Sequence, residues 1–124
     1  MDKNQLKNIC LNLKNTYEDY PFDEEWTVIR HKGSKKCFAF IFEKEGLKIN
    51  LKCEPMQAAF LRRQYSCITP AYHMNKEHWF SVILDGTIPD EELARLIAES
   101  HALTASVPKR RKNTASDTGK FTKR

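Results

Sequence analysis

The segment "YHMNKEHW", Tyr72 to Trp79, packs two histidines, two large aromatics, an Asn and a Lys into eight positions. Side chains of these types ligate metals, move protons or read nucleic acid. A turn at Asn75-Lys76, or a loop over 74–77, sets His73 opposite His78 and Tyr72 opposite Trp79. Directly opposed residues lie about 4.5–5.5 Å apart at Cβ. Structural zinc wants four N or S ligands. Only Cys53 or Cys67 can join the two histidines, and neither has the local spacing. An acid–base or nucleophilic site can draw on His73, His78 and Cys67, because histidine titrates near neutrality. No G-x-S-x-G, P-loop, H-E-x-x-H or dinucleotide fingerprint accompanies them. A plain structural role remains open: a tight turn with Met74 and Trp79 packed and the histidines bonded to backbone.

Nucleic acid calls on further residues. Lys35 and Lys36 follow a turn at "HKGSK", and His31 and Lys32 precede it. Lys76 sits at the tip of the second hairpin. Asn75, His73 and His78 offer hydrogen bonds to phosphate or base edges. Arg62 and Arg63 are adjacent on a helix. Two basic hairpins reaching along a duplex make wings, and the expected partner is DNA.

Charge is unevenly placed. The chain of 124 residues carries +5, yet residues 1–107 hold 14 Lys/Arg against 15 Asp/Glu, while residues 108–124 hold seven Lys/Arg against one Asp. The basic end, "PKRRKNTASDTGKFTKR", has a single large apolar residue, Phe121, and is expected to be a disordered tail adding non-specific affinity. The reading is therefore one domain over 1–107 and a tail over 108–124. No run of about 18 apolar residues is present, so no membrane span is expected. The N-terminus "MDKNQLKNIC" lacks the apolar stretch of a signal peptide, which points to a cytoplasmic protein. The four cysteines form no C-x-x-C. They read as buried thiols in a reducing compartment.

The positioning elements follow from periodicity. Leu6, Ile9, Cys10, Leu13 and Tyr17 make one helical stripe over 3–17, with Asp2 as N-cap and the acidic turn "EDYPFDEE" after it. Strands read over 26–30, 36–43 and 47–53. In the last of these Leu47, Ile49, Leu51 and Cys53 point inward, and Lys48, Asn50 and Lys52 outward. A second helix over 54–65 puts Met56, Ala59 and Phe60 on one side. Two strands flank the segment quoted first. A last helix over 87–107 carries the stripe Leu93, Leu96, Ile97, Ser100 and Leu103. The order α-β-β-β-α-β-β-α, with short turns, makes an α+β fold: a single antiparallel sheet with helices packed on one face.

"YPF" at 20–22, "INLKCEPMQAAFLRRQY" at 49–65, "PAYHMNKEHW" at 70–79, "LDGTIPDEEL" at 84–93 and "LIAESHAL" at 96–103 together resemble the MmcQ/YjbR family, over essentially residues 1–107. The last helix reads "SHAL" where the family has "SY-x-LV", and the basic tail lies outside the pattern. The resemblance implies a frataxin-like fold, an antiparallel sheet backed by two terminal helices, and a DNA-binding role through a double wing. It implies no enzyme chemistry and no cofactor. Iron handling on a frataxin-like fold wants carboxylates along the first helix and strand. Here that helix shows Lys3, Lys7 and Lys14, with Asp2 its one early acid. The expected protein is thus a non-enzymatic, monomeric DNA binder. The alternatives are a protein- or small-ligand-interaction module and an iron- or zinc-handling protein.

Overall fold

The computed structural model describes residues 1–71 and 74–105. The expectations for Tyr72, for His73 and for the tail at 108–124 lie outside the described residues.

Six strands and three helices alternate as α1 (Lys3–Leu11), β1 (Thr16–Asp19), β2 (Thr27–His31), β3 (Cys37–Glu43), β4 (Leu47–Lys52), α2 (Gln57–Gln64), β5 (Ile68–Pro70), β6 (Trp79–Ile83) and α3 (Asp90–Thr104). The sheet is antiparallel, in the order β1-β2-β3-β4-β6-β5. The expected α+β class and single sheet are what the chain forms, with one strand more than the sequence reading placed.

That strand is β1, and it comes from a helix that ends early. Asp2 caps α1 as expected: its side chain accepts from the Gln5 amide at 2.8 Å, and the Gln5 side chain returns the bond to the Asp2 amide at 2.8 Å. This is a reciprocal capping box. The helix stops at Leu11, six residues before Tyr17. Asn15 then takes a left-handed φ of 57°, a conformation Asn tolerates. The Thr16 hydroxyl donates to the Leu13 carbonyl at 3.0 Å. Thr16 and Tyr17, good strand formers, pair with His31 and Arg30. A competing sheet edge therefore outweighs the helical spacing of Leu13 and Tyr17.

One face of the sheet carries the core. The register lines up Ile29, Ala39, Leu51 and Phe80 across four strands, with Ile41, Ile49, Val82 and Ile68 in the neighbouring row. All eight are buried in one cluster with Leu6 and Cys10 of α1, Ala58 and Leu61 of α2, and Leu93, Leu96 and Ile97 of α3. Every helix thus packs on the same face. The α3 stripe is as expected, except that Thr104 is buried where Leu103 is only half-buried. Helix α2 departs further. Its inward side is Ala58 and Leu61, while Met56 is 84% and Phe60 56% exposed. Met56 takes a φ of 76° as N-cap, which turns the chain so that the small Ala58 meets the core and the larger residues do not.

The end of α3 is locked to β2 by a histidine. His31 is buried, with Nε2 2.8 Å from Thr104 Oγ1. Its ring lies 4.5 Å from that of His101 and 5.2 Å from that of Phe38. Burial, and then the neighbouring His101, hold the His31 pKa below its ordinary 6.5. A depressed histidine lets the unfolded chain take up the proton first as pH falls. His31 then weakens the fold progressively from about pH 6.5 down to its own lower folded value and adds nothing above. The melting temperature of the wild type is expected to fall more steeply below pH 6.5 than that of His31→Gln. Parallel curves for the two would contradict this.

Candidate nucleic-acid interface

The helix-free face is where the outward residues of β4 lie. The register sets Phe40, Asn50, Ser81 and Thr69 in one row, Phe42, Lys48 and Ile83 in the next, and Lys52 beside Trp79. This face is not simply solvated. Asn50 is 0% and Ser81 2% exposed, and the Ser81 hydroxyl donates to Asn50 Oδ1. A buried amide on a sheet face needs such a partner, because an unpaired one costs about 1–3 kcal/mol. Aromatic rings flank the pair. Trp26 stacks on Phe42 at 4.3 Å between centroids, and Trp79 meets Phe40 edge-on at 5.6 Å. Lys52 Nζ lies 5.6 Å from the centre of the Trp79 ring, within cation–π range.

The expected second hairpin has another shape. Pro70 opposite Phe80 is the last pair between β5 and β6, and the His78 carbonyl instead accepts from the Cys53 amide of the chain beyond β4 at 2.8 Å. Residues 75–78 form one helical turn. Asn75 caps it: Oδ1 accepts from the Glu77 and His78 amides at 2.8 and 3.3 Å, and its carbonyl from the Trp79 amide at 3.0 Å. Asn at a cap is favoured for this bond. Trp79 is half-buried and finds Phe40 and Lys52 as neighbours.

The consequence is a cavity of about 410 Å³ on the helix-free face, which Phe42, Lys44, Lys48, Thr69, Lys76 and Ser81 line. Lys44 comes from the β3–β4 turn, where Glu45 and Gly46 both take positive φ (56° and 112°). That is the twist a tight hairpin demands. Lys48 comes from β4 and Lys76 from the Asn75-capped turn. Among the described residues no carboxylate lines it. Glu18 and Asp19 belong to β1 at the sheet edge, where Asp19 is held by Arg30 Nε at 2.7 Å, while the β1–β2 connection that carries Asp23, Glu24 and Glu25 reaches Phe42 through the stacked Trp26.

The residues singled out from sequence therefore separate. Lys76 joins the cavity, and Asn75 shapes the turn that carries it. His78 is half-buried beside them, and His73 lies outside the described residues. Lys35 and Lys36 are exposed at the β2–β3 tip, next to the first residue of β3. Lys44 follows the last residue of β3, so it lies about 25 Å from Lys36 along the strand. Arg62 and Arg63 ride on α2, whose inward residues belong to the opposite face. Arg62 is half-buried, and its charge opposes the burial that raises the Cys53 thiol pKa. Burial alone pushes the Cys10 thiol up to about 12. Among the described residues, no three His, Cys, Asp or Glu side chains gather as a metal site, and no helix is long and apolar enough to cross a membrane. Sequence reasoning missed Lys44, Lys48 and Lys52. The alternation of "LKINLK" did place Lys48, Asn50 and Lys52 on one face, but nothing in it distinguishes a solvated face from a lined one.

A six-stranded antiparallel sheet with every helix on one face and a cation-lined cavity on the other defines a small α+β domain. Comparison with known proteins gives its family. The YjbR family profile matches residues 11–103, and the chain belongs to the YjbR family. It is 38% identical to YyaQ of Bacillus subtilis (strain 168), over 72% of this chain and 86% of that one. It is 36% identical to YbdF of Escherichia coli O157:H7, over 81% and 84%. Among solved structures, a Deinococcus radiodurans protein with a DUF419 domain superposes with a TM-score of 0.74 at 36% identity, over 81% of this chain and 75% of that one. A Pseudomonas syringae protein superposes with a TM-score of 0.77 at 31% identity, over 85% of this chain and all of that one.

Proposed function

We propose that this is a non-enzymatic, cytoplasmic nucleic-acid-binding protein whose contact surface is the helix-free face of the sheet, not the two hairpin tips. The observation that carries this reading is the grouping of Lys44, Lys48, Lys52 and Lys76 with the half-buried rings of Phe40 and Trp79 on that one face. Ammonium groups track a phosphate backbone, and bases stack on exposed aromatic rings, each worth about 1–3 kcal/mol. Rings on this face suit unpaired bases, which can stack where paired ones cannot. Asp90, Glu91 and Glu92 sit at the start of α3, and no carboxylate of the described residues lines the cavity.

Titration with a single-stranded and a duplex oligonucleotide at two salt concentrations tests this. All variants keep residues 108–124, so the tail contributes equally to each. The single strand is expected to bind more tightly. Lys48→Gln/Lys52→Gln should lower the salt slope by about 1.4, at roughly 0.7 per phosphate contact on a single strand. Lys35→Gln/Lys36→Gln should leave it unchanged. The reverse pattern would return the surface to the β2–β3 tip, and no binding at low salt would end the nucleic-acid reading.

A further inference from the structure

The cavity on the helix-free face draws lysines from three separate segments of the chain. We infer that it binds a phosphomonoester carried on a small organic body of nucleotide size, either a free mononucleotide or the terminal nucleotide of a strand. The strand-end form rests on the nucleic-acid reading above; the free form does not.

Charge carries the first part of the argument. Lys44, Lys48 and Lys76 line one cavity, with no carboxylate in the described lining. Among the described residues neither Lys48 nor Lys76 is in an ion pair. A single carboxylate ligand would answer one of these cations. A phosphomonoester brings about −1.5 to −2 at neutral pH and three acceptor oxygens. Ammonium groups bind phosphate as point charges, without the bidentate geometry of Arg. Chain geometry carries the second part. The three lysines come from the β3–β4 turn, from β4 and from the Asn75-capped turn, so separate elements converge on one place. An interior phosphate of a strand carries a single charge and needs no such convergence. The remaining lining carries the third part. Thr69 and Ser81, the latter with its hydroxyl donated to Asn50, line the cavity beside the apolar Phe42, Pro70 and Ala71. Small-molecule sites combine an apolar wall with a few placed polar groups in about 300–1,000 Å³, and about 410 Å³ falls in that range.

The test is calorimetric titration of the full chain with adenosine 5′-monophosphate, adenosine and inorganic phosphate. Alongside it, a short single strand is titrated with a 5′-phosphate and with a 5′-hydroxyl. The monophosphate is expected to bind at least tenfold more tightly than adenosine and than inorganic phosphate. Lys48→Gln and Lys76→Gln, made singly because both lie outside the core, should each remove most of the advantage over adenosine. In the wild type, the amide resonances of Thr69 and Ser81 should shift on addition of the monophosphate, which locates the site without any variant. Equal binding of monophosphate and adenosine, inorganic phosphate matching the monophosphate, or no binding of any phosphorylated probe overturns the inference. Strands that bind alike with either end leave the proposed function standing and remove the end-recognition form. A monophosphate that binds while no strand does keeps the cavity site and removes the nucleic-acid reading.

Discussion

Phe80→Ala is expected to destabilise the protein by about 3–5 kcal/mol, the usual cost of emptying a buried phenylalanine site. Phe80 is 1% exposed on β6 and stands opposite Leu51 of β4 and Pro70 of β5, under the helices. It is flanked by strands on both sides, so neither neighbour can close the void without breaking a ladder. A small domain has about 5–15 kcal/mol in all, so the loss is a large share of the total. The melting temperature should drop by roughly 10–20 °C. Phe60→Ala is the matched control. The same side chain on α2 is 56% exposed, and its removal should cost under about 1 kcal/mol. Equal losses at the two positions would mean that the burial described for β6 and α2 is wrong.

Ser100→Ala is expected to cost about 1–3 kcal/mol although it removes one oxygen. Ser100 is 0% exposed on α3. Its hydroxyl donates to the Phe38 carbonyl at 2.6 Å and accepts from the Lys52 amide at 2.8 Å. Near Phe38 the β2–β3 register shifts, leaving Arg30 opposite Cys37. One hydroxyl thus satisfies two backbone groups of neighbouring strands where the ladder does not. Alanine leaves both buried and unpaired, with no room gained for water. Hydrogen exchange at the Lys52 amide should quicken by more than the global loss of stability explains. An amide that stays as protected as its neighbours on β4 would show that another acceptor had replaced the hydroxyl. The same substitution bears on the proposed interface, because Ser100 fixes the backbone from which Lys52 reaches Trp79.

Patterns of period two and period 3.6 were enough to place most of the architecture. The inward residues of β4 and the stripe of α3 were legible because a strand or helix with one apolar face must repeat its apolar residues in a fixed way. That leaves helices on one side of an antiparallel sheet as the natural arrangement. The cap of α1 was legible for a local reason, since Asp2 is a favoured N-cap type just before the helical stripe; its reciprocal bond with Gln5 came from the structure. The end of α1 was not. Leu13 and Tyr17 keep helical spacing, and only the exposed edge of β2 decides that Thr16 onward becomes a strand. The inward side of α2 was not legible either, because the φ of Met56 rotates the helix and favours Ala58 over larger residues.

For the site, the sequence by itself determined which residue types were available: lysines alternating with Asn50 on one strand, and an Asn-Lys turn near two aromatics. The choice among them belongs to the tertiary structure. Lys48 and Lys76 are far apart in the chain and share a cavity only because β4 pairs with β6 and the capped turn at 75–78 precedes β6. Lys35 and Lys36 look equally basic in sequence, yet the length of β3 separates them from Lys44. Distance through space is set by strand order and register, which depend on long-range pairing that no local pattern encodes.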